Sequence, residues 1–563
     1  MPELSVARFV AHCLYLNSVK RIYGIIGTSV LDFFDALYDY RAQIKFITTR
    51  HEQVAVSAAD AEARITGNIG VAVVHAGPGF LNSIISLGIA MKDRIPLLLI
   101  TGGVRRRLKG TDAWLEVEQE DIAKPIVKAY FRINTPVETP SIMKEVFDAL
   151  SKTPKGPVIL EVPEDNWNEK VSFDEHVFNE LRLREMDAGT PKRENIKEIS
   201  DKLLNAKRPL ILACGELTLN KGYREELLER LLQKTGAYLI TSGNGRGAIS
   251  EENERNLGRA GYGGGNLVAD SALESCDFLL VLGNEFDDIT TYAYTLLPEG
   301  EAIAVSKDDS MKKRPSYFEL IDADPFSFLE YLNKEIENRN SVVKPEWDER
   351  INGYRKKWRA MLEEAIARKF EGRVNVSRFF KTLDDRLPRN RIVTGGQGVH
   401  ILYAYDYLKI YRPRSFLAAT NLGAMGYAFP AAIGAKLASK EDEVIAVLGD
   451  GDFMMTIQDL ETVKRENIAL KMIIVNDNSY RVLYQRQAIQ KQGRIYETLL
   501  QNPDFVKLAN SFGISAMRIT SDEEIIEAVN KLVETKDPFL LEIVCDPNDL
   551  PPLNLKQTLE MSM

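Results

Sequence analysis

The chain has 563 residues, too many for one compact core, so about three or four domains are expected. Hydrophobic residues make up 45% and charged residues 27%, an ordinary balance for a water-soluble globular protein. The net charge of -9 argues against a nucleic-acid scaffold, and no apolar run is long enough to span a bilayer.

The first residues, Met-Pro-Glu-Leu-Ser-Val-Ala-Arg, lack the apolar core and cleavage site of a signal peptide. Four cysteines (Cys13, Cys214, Cys276 and Cys545) form no C-x-x-C pair, which predicts buried free thiols in a reducing, cytoplasmic setting. Along the chain, short apolar runs alternate with amphipathic helical stretches. The runs include Gly70–Val74, Pro96–Thr101, Val158–Val162, Pro209–Ala213, Phe278–Gly283, Val444–Leu448 and Lys471–Asn476. This alternation reads as βαβ units and parallel sheets. Two charged, apolar-poor stretches interrupt it, Asn168–Asn195 and Pro345–Lys369, the second read as a solvated helix or linker. They leave three blocks of about 170 residues, a comfortable domain size. The fold class is therefore α/β, with three doubly wound parallel-sheet domains over 1–170, 190–345 and 370–550.

Near the end of the chain, Val444–Leu448 runs into Gly449-Asp450-Gly451-Asp452. A helical pattern from about Phe453 to Glu466 follows, and then a second strand ends at Asn476-Asp477-Asn478-Ser479. Both polar clusters thus fall at carboxyl ends of neighbouring parallel strands, where open α/β sheets bind ligands. Asp450 and Asp477 supply hard oxygens and Ser479 a backbone carbonyl, a set that suits Mg²⁺ or Ca²⁺ with phosphate oxygens completing the shell. The glycines admit an anion close to the backbone, and the helix N-terminus favours negative charge. The plain alternative is a turn rich in Gly and Asp; the paired cluster on the next strand weighs against it.

This pairing resembles the thiamine diphosphate motif, Gly-Asp-Gly followed by Asn-Asn, with Asp477 in place of the second Asn. The resemblance extends over nearly the whole chain. It implies a pyrimidine-binding domain, a central domain and a diphosphate-binding domain in that order, with the cofactor held between two subunits of a homodimer or homotetramer. Thr49-Arg50-His51-Glu52-Gln53 looks like the Arg-His-Glu-Gln segment of acetolactate synthases, which implies that Glu52 bonds N1′ of the aminopyrimidine and so activates the thiazolium carbon. By itself Glu52 reads as a first-turn helix carboxylate. Ala76-Gly77-Pro78-Gly79 is similar to the family's glycine turn near the pyrimidine. Within Asn421–Gly426, Gly423 matches the residue whose carbonyl receives the 4′-amine, and Met425 the residue that wedges the cofactor into its bent form. Gln397 and Gly398 match the loop that touches the diphosphate; the His of that loop is absent, and His400 lies nearby.

The acetolactate synthase large subunit gives the best overall match, but several substrate positions depart from it. Leu115, Arg481 and Arg486 replace the family's Gln, Gly and Trp. Glu285 replaces an Arg that helps receive the second 2-oxo acid, so a carboxylate facing Glu285 is expected to be repelled. His75, Asn82 and Trp167 resemble benzoylformate decarboxylase instead, which implies proton handling by His75; the plain alternative is a satisfied strand-end histidine. Thr28, in the Gly24–Ser29 turn, is a candidate donor to the substrate carboxylate. FAD binds the central domain of acetolactate synthases, and Gly243–Gly247 and Gly261–Gly265 offer close approach to a dinucleotide. The missing Arg and the lone Gly215 make FAD the weaker reading. The basic run Arg105–Lys109 reads as a solvated face or a grip on a coenzyme A tail. Three functions stay open. One is pyruvate decarboxylation with ligation to a carbonyl acceptor. Another is simple 2-oxo acid decarboxylation, or lyase or decarboxylase action on a coenzyme A-linked substrate. The third is a non-catalytic paralogue.

Overall fold

The computed structural model describes residues 2–174, 176–183, 189–315 and 317–553. Three six-stranded sheets, every neighbouring pair parallel, make up the framework. The first is built from β1 (Arg21–Gly24), β2 (Lys45–Thr48), β3 (Gly70–Val74), β4 (Leu97–Gly103), β5 (Ala129–Arg132) and β6 (Pro157–Pro163), in the order β2-β1-β3-β4-β6-β5. The second contains β7 (Pro209–Ala213), β8 (Tyr238–Thr241), β9 (Asn256–Arg259), β10 (Phe278–Leu282), β11 (Glu301–Ser306) and β12 (Glu319–Asp322), in the order β9-β8-β7-β10-β11-β12. The third contains β13 (Arg391–Gly395), β14 (Phe416–Ala418), β15 (Glu443–Gly449), β16 (Lys471–Asn476), β17 (Ser515–Ile519) and β18 (Phe539–Val544), in the order β14-β13-β15-β16-β18-β17. The central strands are buried along their length, as the continuous apolar runs require of sheets covered on both faces.

The first and third sheets share one strand order, and the middle sheet has the dinucleotide-fold order. In the first sheet the order reverses between β1 and β3. In the third it reverses between β13 and β15. Crevices at such reversals collect ligands at the carboxyl ends of the strands.

Two compact units contain these sheets. One takes the described residues of Met1–Asp187 together with Pro430–Lys440 and Thr456–Ile468; the other takes the rest of the described chain. Among the described residues no helix is long and apolar enough to cross a membrane.

Two segments differ from what the sequence predicts. Pro345–Ala367 is a helix with most of its residues exposed or half-buried, but one stripe of it is anchored: Trp347, Ile351, Trp358 and Ala365 are buried, and Trp347 Nε1 donates to the Pro209 carbonyl at 3.2 Å. The predicted helix over Phe453–Glu466 is broken into Asp450–Phe453, a 3₁₀ turn at Ile457–Asp459 and Leu460–Arg465. Asp459 is drawn into other bonds there, accepting from the Arg50 backbone N–H at 2.8 Å and the Thr462 hydroxyl at 2.8 Å. The segment Asn168–Asn195 begins with Lys170–Ser172, antiparallel to Glu3–Ser5; residues 175 and 184–188 lie outside the described residues.

Candidate active site

In the first unit, Glu52 opens the helix Glu52–Thr66 that follows β2. Its N-cap is His51, whose ring accepts from the Gln53 N–H at 3.1 Å. Glu52 is 8% exposed, and Asn82 Nδ2 donates to its Oε2 at 2.9 Å. A Cβ on Gly79 would lie 3.2 Å from both Glu52 Oε1 and His75 Cβ, so this glycine lets the two side chains share one crevice. His75 follows β3, and Ser29 Oγ sits 2.7 Å from its Nδ1. The Ser29 backbone N–H donates to Nδ1 at 3.4 Å, which makes Nδ1 the acceptor, and the Ser29 hydroxyl, accepting from the Ala76 N–H at 3.0 Å, has its own proton left to donate there. The ring proton then sits on Nε2. Burial lowers the His75 pKa, opposed by the charges of Glu164 and Glu52. Buried Trp167 holds the Ser29 carbonyl through Nε1 at 2.9 Å. Thr28 is exposed at the start of the short turn Thr28–Val30.

In the second unit, β15 and β16 pair in parallel, so Gly449-Asp450 and Asn476-Asp477 end side by side. Asn502, which no sequence pattern marks, organises this pair. Its Nδ2 donates to Asp450 Oδ2 at 2.6 Å, to Asn478 Oδ1 at 3.1 Å and to Asn476 Oδ1 at 3.3 Å. Asn478 has φ of 55°, a left-handed conformation that asparagine tolerates. Burial and then the Asp477 charge push the Asp450 pKa up to about 7. A buried carboxylate whose ionisation a neighbouring carboxylate makes costly belongs to a donor set that a divalent cation fits. Ser479 donates through Oγ to Asp477 Oδ1. The helix starting at Asp450 spans only four residues, so its dipole offers an anion little.

Asp477 does not add an uncompensated charge. Arg481, the first residue of the helix that follows, places Nε 2.5 Å from Asp477 Oδ2, and both side chains are buried. The residue that departs from the family's glycine therefore neutralises the residue that departs from its asparagine.

Asp452 lies beneath the loops, buried, with Oδ1 accepting from the Gly426 N–H at 2.7 Å. Burial pushes its pKa up to about 7, opposed by bonds from the Gly426 and Gln397 backbones. It thereby ties the Gln397–Gly398 loop to the Gly423–Met425 loop. Gln397 Nε2 donates to the Ala419 carbonyl at 3.2 Å. Gly423, with φ of 72°, is exposed and has open space where a Cβ would be. Met425 is half-buried. A Cβ on Gly451 would lie 2.8 Å from the Tyr480 ring. His400 is buried, 2.7 Å from where a Gly449 Cβ would be, and burial with the Arg481 charge lowers its pKa to about 3. It packs under the motif as a neutral ring.

Glu285 is bonded within the protein. Its Oε2 accepts from the Gly215 N–H at 2.7 Å and the Ser242 hydroxyl, and its Oε1 from Asn244 at 2.6 Å and Asn421 at 3.1 Å. Four donors hold this buried carboxylate in place. Of the glycines offered for FAD, Gly245 and Gly261 pack internally: a Cβ on Gly245 would strike the Ala213 carbonyl, and one on Gly261 the Ile289 carbonyl, while Gly263 has open space beside it. The Gly215 N–H, at the carboxyl end of β7, is bonded to Glu285. In the basic run, Arg105 pairs with Glu164, Arg106 with Asp165, and Lys109 with Glu118. The four cysteines are free and buried.

Comparison with known proteins agrees with this geometry. Residues 4–123 match the thiamine pyrophosphate enzyme N-terminal TPP binding domain, residues 196–320 its central domain, and residues 396–543 its C-terminal TPP binding domain. The chain is 32% identical to a probable acetolactate synthase large subunit of Methanocaldococcus jannaschii, over 97% of this chain and 93% of that protein. It is 30% identical to the acetolactate synthase isozyme 2 large subunit of Escherichia coli, over 96% of this chain and 95% of that protein. The acetolactate synthase large subunit of Cyanidium caldarium is 29% identical, over 94% and 91%. With two crevices at strand-order reversals, one carrying Glu52 and one carrying Asp450 and Asp477, and with all three family domains in sequence, the chain belongs to the thiamine pyrophosphate enzyme family, among its acetolactate synthase-like members.

Proposed function

We propose that this protein decarboxylates a 2-oxo acid such as pyruvate and joins the acyl fragment to a second carbonyl compound. The observation that carries the reading is Glu52, buried and held by Asn82 through one carboxylate oxygen only. Thiamine diphosphate, when bound, supplies a nucleophilic thiazolium carbon and an electron sink. Asp450 and Asp477, with the Ser479 carbonyl, hold Mg²⁺ for its diphosphate, and Gln397, Gly398, Gly449, Gly451 and Asp452 shape that loop cluster. Gly423 and Met425 receive the ring end. Glu52 Oε1 shares a proton with the aminopyrimidine, a task that suits a carboxyl withdrawn from water. His75, with its proton on Nε2, gives and takes the proton of the product oxygen, and Thr28 donates to the carboxylate that leaves. The active protein is a homodimer or homotetramer in the cytoplasm, with domains over 1–170, 190–345 and 370–550.

Incubation with pyruvate, thiamine diphosphate and Mg²⁺ tests this. Acetolactate is the expected product; acetaldehyde alone would transfer the reading to simple decarboxylation, which the His75–Ser29 pair also supports. Glu52→Gln is expected to abolish exchange of the C2 proton while the cofactor still binds, and unaltered exchange would remove Glu52 from the chemistry. A strictly monomeric active species in sedimentation would contradict the assembly.

A further inference from the structure

Lys128 immediately precedes β5, and its backbone N–H donates to the Pro157 carbonyl at 2.8 Å. Its side chain reaches the last turn of the helix Thr139–Ser151, where Nζ donates to the Ala149 carbonyl at 2.6 Å and to the Lys152 carbonyl. The stem packs on Gly156, whose Cβ would lie 3.1 Å from Lys128 Cβ. The side chain is half-buried, so the nitrogen is fixed in position and still reached by solvent. Three cations act on it. Lys152 and Lys155 come from the loop between that helix and β6, and Arg94 from the turn after the helix Ile84–Lys92. Lys155 Nζ donates to the Ser151 carbonyl and Arg94 Nη1 to the Met91 carbonyl at 2.8 Å. Among the described residues no carboxylate makes an ion pair with Lys128, and no acidic group is among the charges that act on it. Burial, and then the charges of Lys155, Lys152 and Arg94, push its pKa down to about 8. At about pH 7.5 roughly a quarter of the molecules then hold this amine neutral, against about one in a thousand for an ordinary lysine.

We propose that Lys128 is a modification site for carbon dioxide, held as an anionic carbamate among Lys152, Lys155 and Arg94. The lone pair on Nζ attacks the carbon of carbon dioxide. A C–N bond forms, the electron pair of one C–O π bond moves onto oxygen, and the nitrogen releases one proton to water. No oxidant, reductant or activated donor is required. The product replaces a cation by an anion, so a nitrogen crowded by three positive charges becomes their partner. A neutral acyl group on the same nitrogen would end the repulsion and leave the three cations without a counter-charge, so the cluster favours carbon dioxide over an acyl donor. The carbamate nitrogen keeps one N–H for the Ala149 carbonyl. Decarboxylation of a 2-oxo acid releases the reagent, and dissolved bicarbonate supplies it too, so the site does not depend on the ligation reading above.

The test uses the full chain in bicarbonate labelled with carbon-13. A carbamate resonance is expected in carbon-13 NMR. Alkylation with triethyloxonium converts the carbamate to a stable ethyl ester, and peptide mass mapping is expected to place it on Lys128. At fixed dissolved carbon dioxide the labelled fraction should rise between about pH 7 and about pH 8.5, because the neutral amine is the reactant. Lys128→Arg keeps a cation with donors for the two carbonyls but has no nucleophilic amine, and should lose the label. Lys152→Gln combined with Lys155→Gln should lower the labelled fraction severalfold, since the neutral amine becomes rarer and the carbamate loses two partners. Absence of label from the wild type, or label confined to the amino terminus, would overturn the proposal. So would label that persists in Lys128→Arg, or an unaltered fraction in the double variant at an unaltered melting temperature. A bicarbonate signal that alkylation does not trap is bound bicarbonate alone, and also overturns it. If Lys128→Arg does not fold, the peptide map of the wild type decides.

Discussion

Arg481→Met removes one half of a buried ion pair whose Nε–Oδ2 separation is 2.5 Å and whose side chains are 4% and 5% exposed. At an effective dielectric near 20, unit charges about 4 Å apart attract by about 4 kcal/mol. Removing one partner of such a pair costs about 3–5 kcal/mol, because the other charge stays buried. The guanidinium also donates to Cys545 Sγ at 2.6 Å and the Asp546 carbonyl at 3.2 Å, so part of the loss belongs to those bonds. A double-mutant cycle isolates the pair. Asp477→Asn alone strands Arg481, whereas Asp477→Asn with Arg481→Met removes both charges together. The double variant is expected to lose less than the two single losses combined, by about 2–3 kcal/mol, a coupling typical of residues in contact. Urea unfolding of the protein without cation or cofactor supplies the midpoints. Added Mg²⁺ should stabilise Arg481→Met more than the wild type, since the bared Asp477 then has only the cation to face. Additive losses, with coupling below about 0.5 kcal/mol, would refute charge compensation as the reason Asp477 is tolerated beside Asp450.

Asp459 is buried, and burial pushes its pKa up to about 6, opposed by bonds from the Arg50 backbone and Thr462. A carboxyl with a raised folded pKa stabilises the fold while protonated, and that advantage is lost as pH rises from about 4 to about 6. Asp459→Asn should therefore match the wild type in acid and exceed it by up to about 3 kcal/mol above pH 6, read as urea midpoints against pH; parallel curves would refute this. Glu285→Gln turns one accepting oxygen into a donor among four donors, costing about 1–3 kcal/mol in thermal or urea unfolding. The purified protein should carry no flavin and should not retain added FAD through gel filtration. A flavin absorbance band that co-elutes with the protein would show that the middle sheet opens for a dinucleotide.

Much of the framework is legible in the order of residues alone. Gly70–Val74, Pro209–Ala213 and Lys471–Asn476 are strands because each is an apolar run bounded by polar residues, glycine or proline, and the Gly449-Asp450 cluster follows its strand as the run's end implies. The partners of Glu285 are not legible in this way, because its four donors come from segments far apart in sequence, at Gly215, Ser242, Asn244 and Asn421, and only tertiary structure collects them. Asn502 carries no local signal at all. Arg481 does carry one: it opens a helix only four residues after Asp477, near enough along the chain for the two charges to meet. Treating Arg481 only as a lost glycine hides its partner. The break after Phe453 escapes the helical pattern because Asp459 satisfies a backbone donor that lies 409 positions earlier.

The composition of the first unit has a consequence for how the chain is made. Its helix Glu52–Thr66 packs against the segment 430–440 so closely that a Cβ on Gly434 would strike the Ala58 carbonyl. That segment, and Thr456–Ile468 after it, belong to the same compact unit. A ribosome adding about 5–20 residues per second therefore leaves the first unit without these parts for tens of seconds after its own sheet has emerged. During that interval the small-residue face that will meet Gly434 is bare, and each strand of the sheet must find a partner across a crossover rather than a hairpin. Synthesis of the nascent chain is thus the stage at which this protein depends most on chaperones, and truncation before residue 468 should yield an aggregating first unit rather than a smaller folded one.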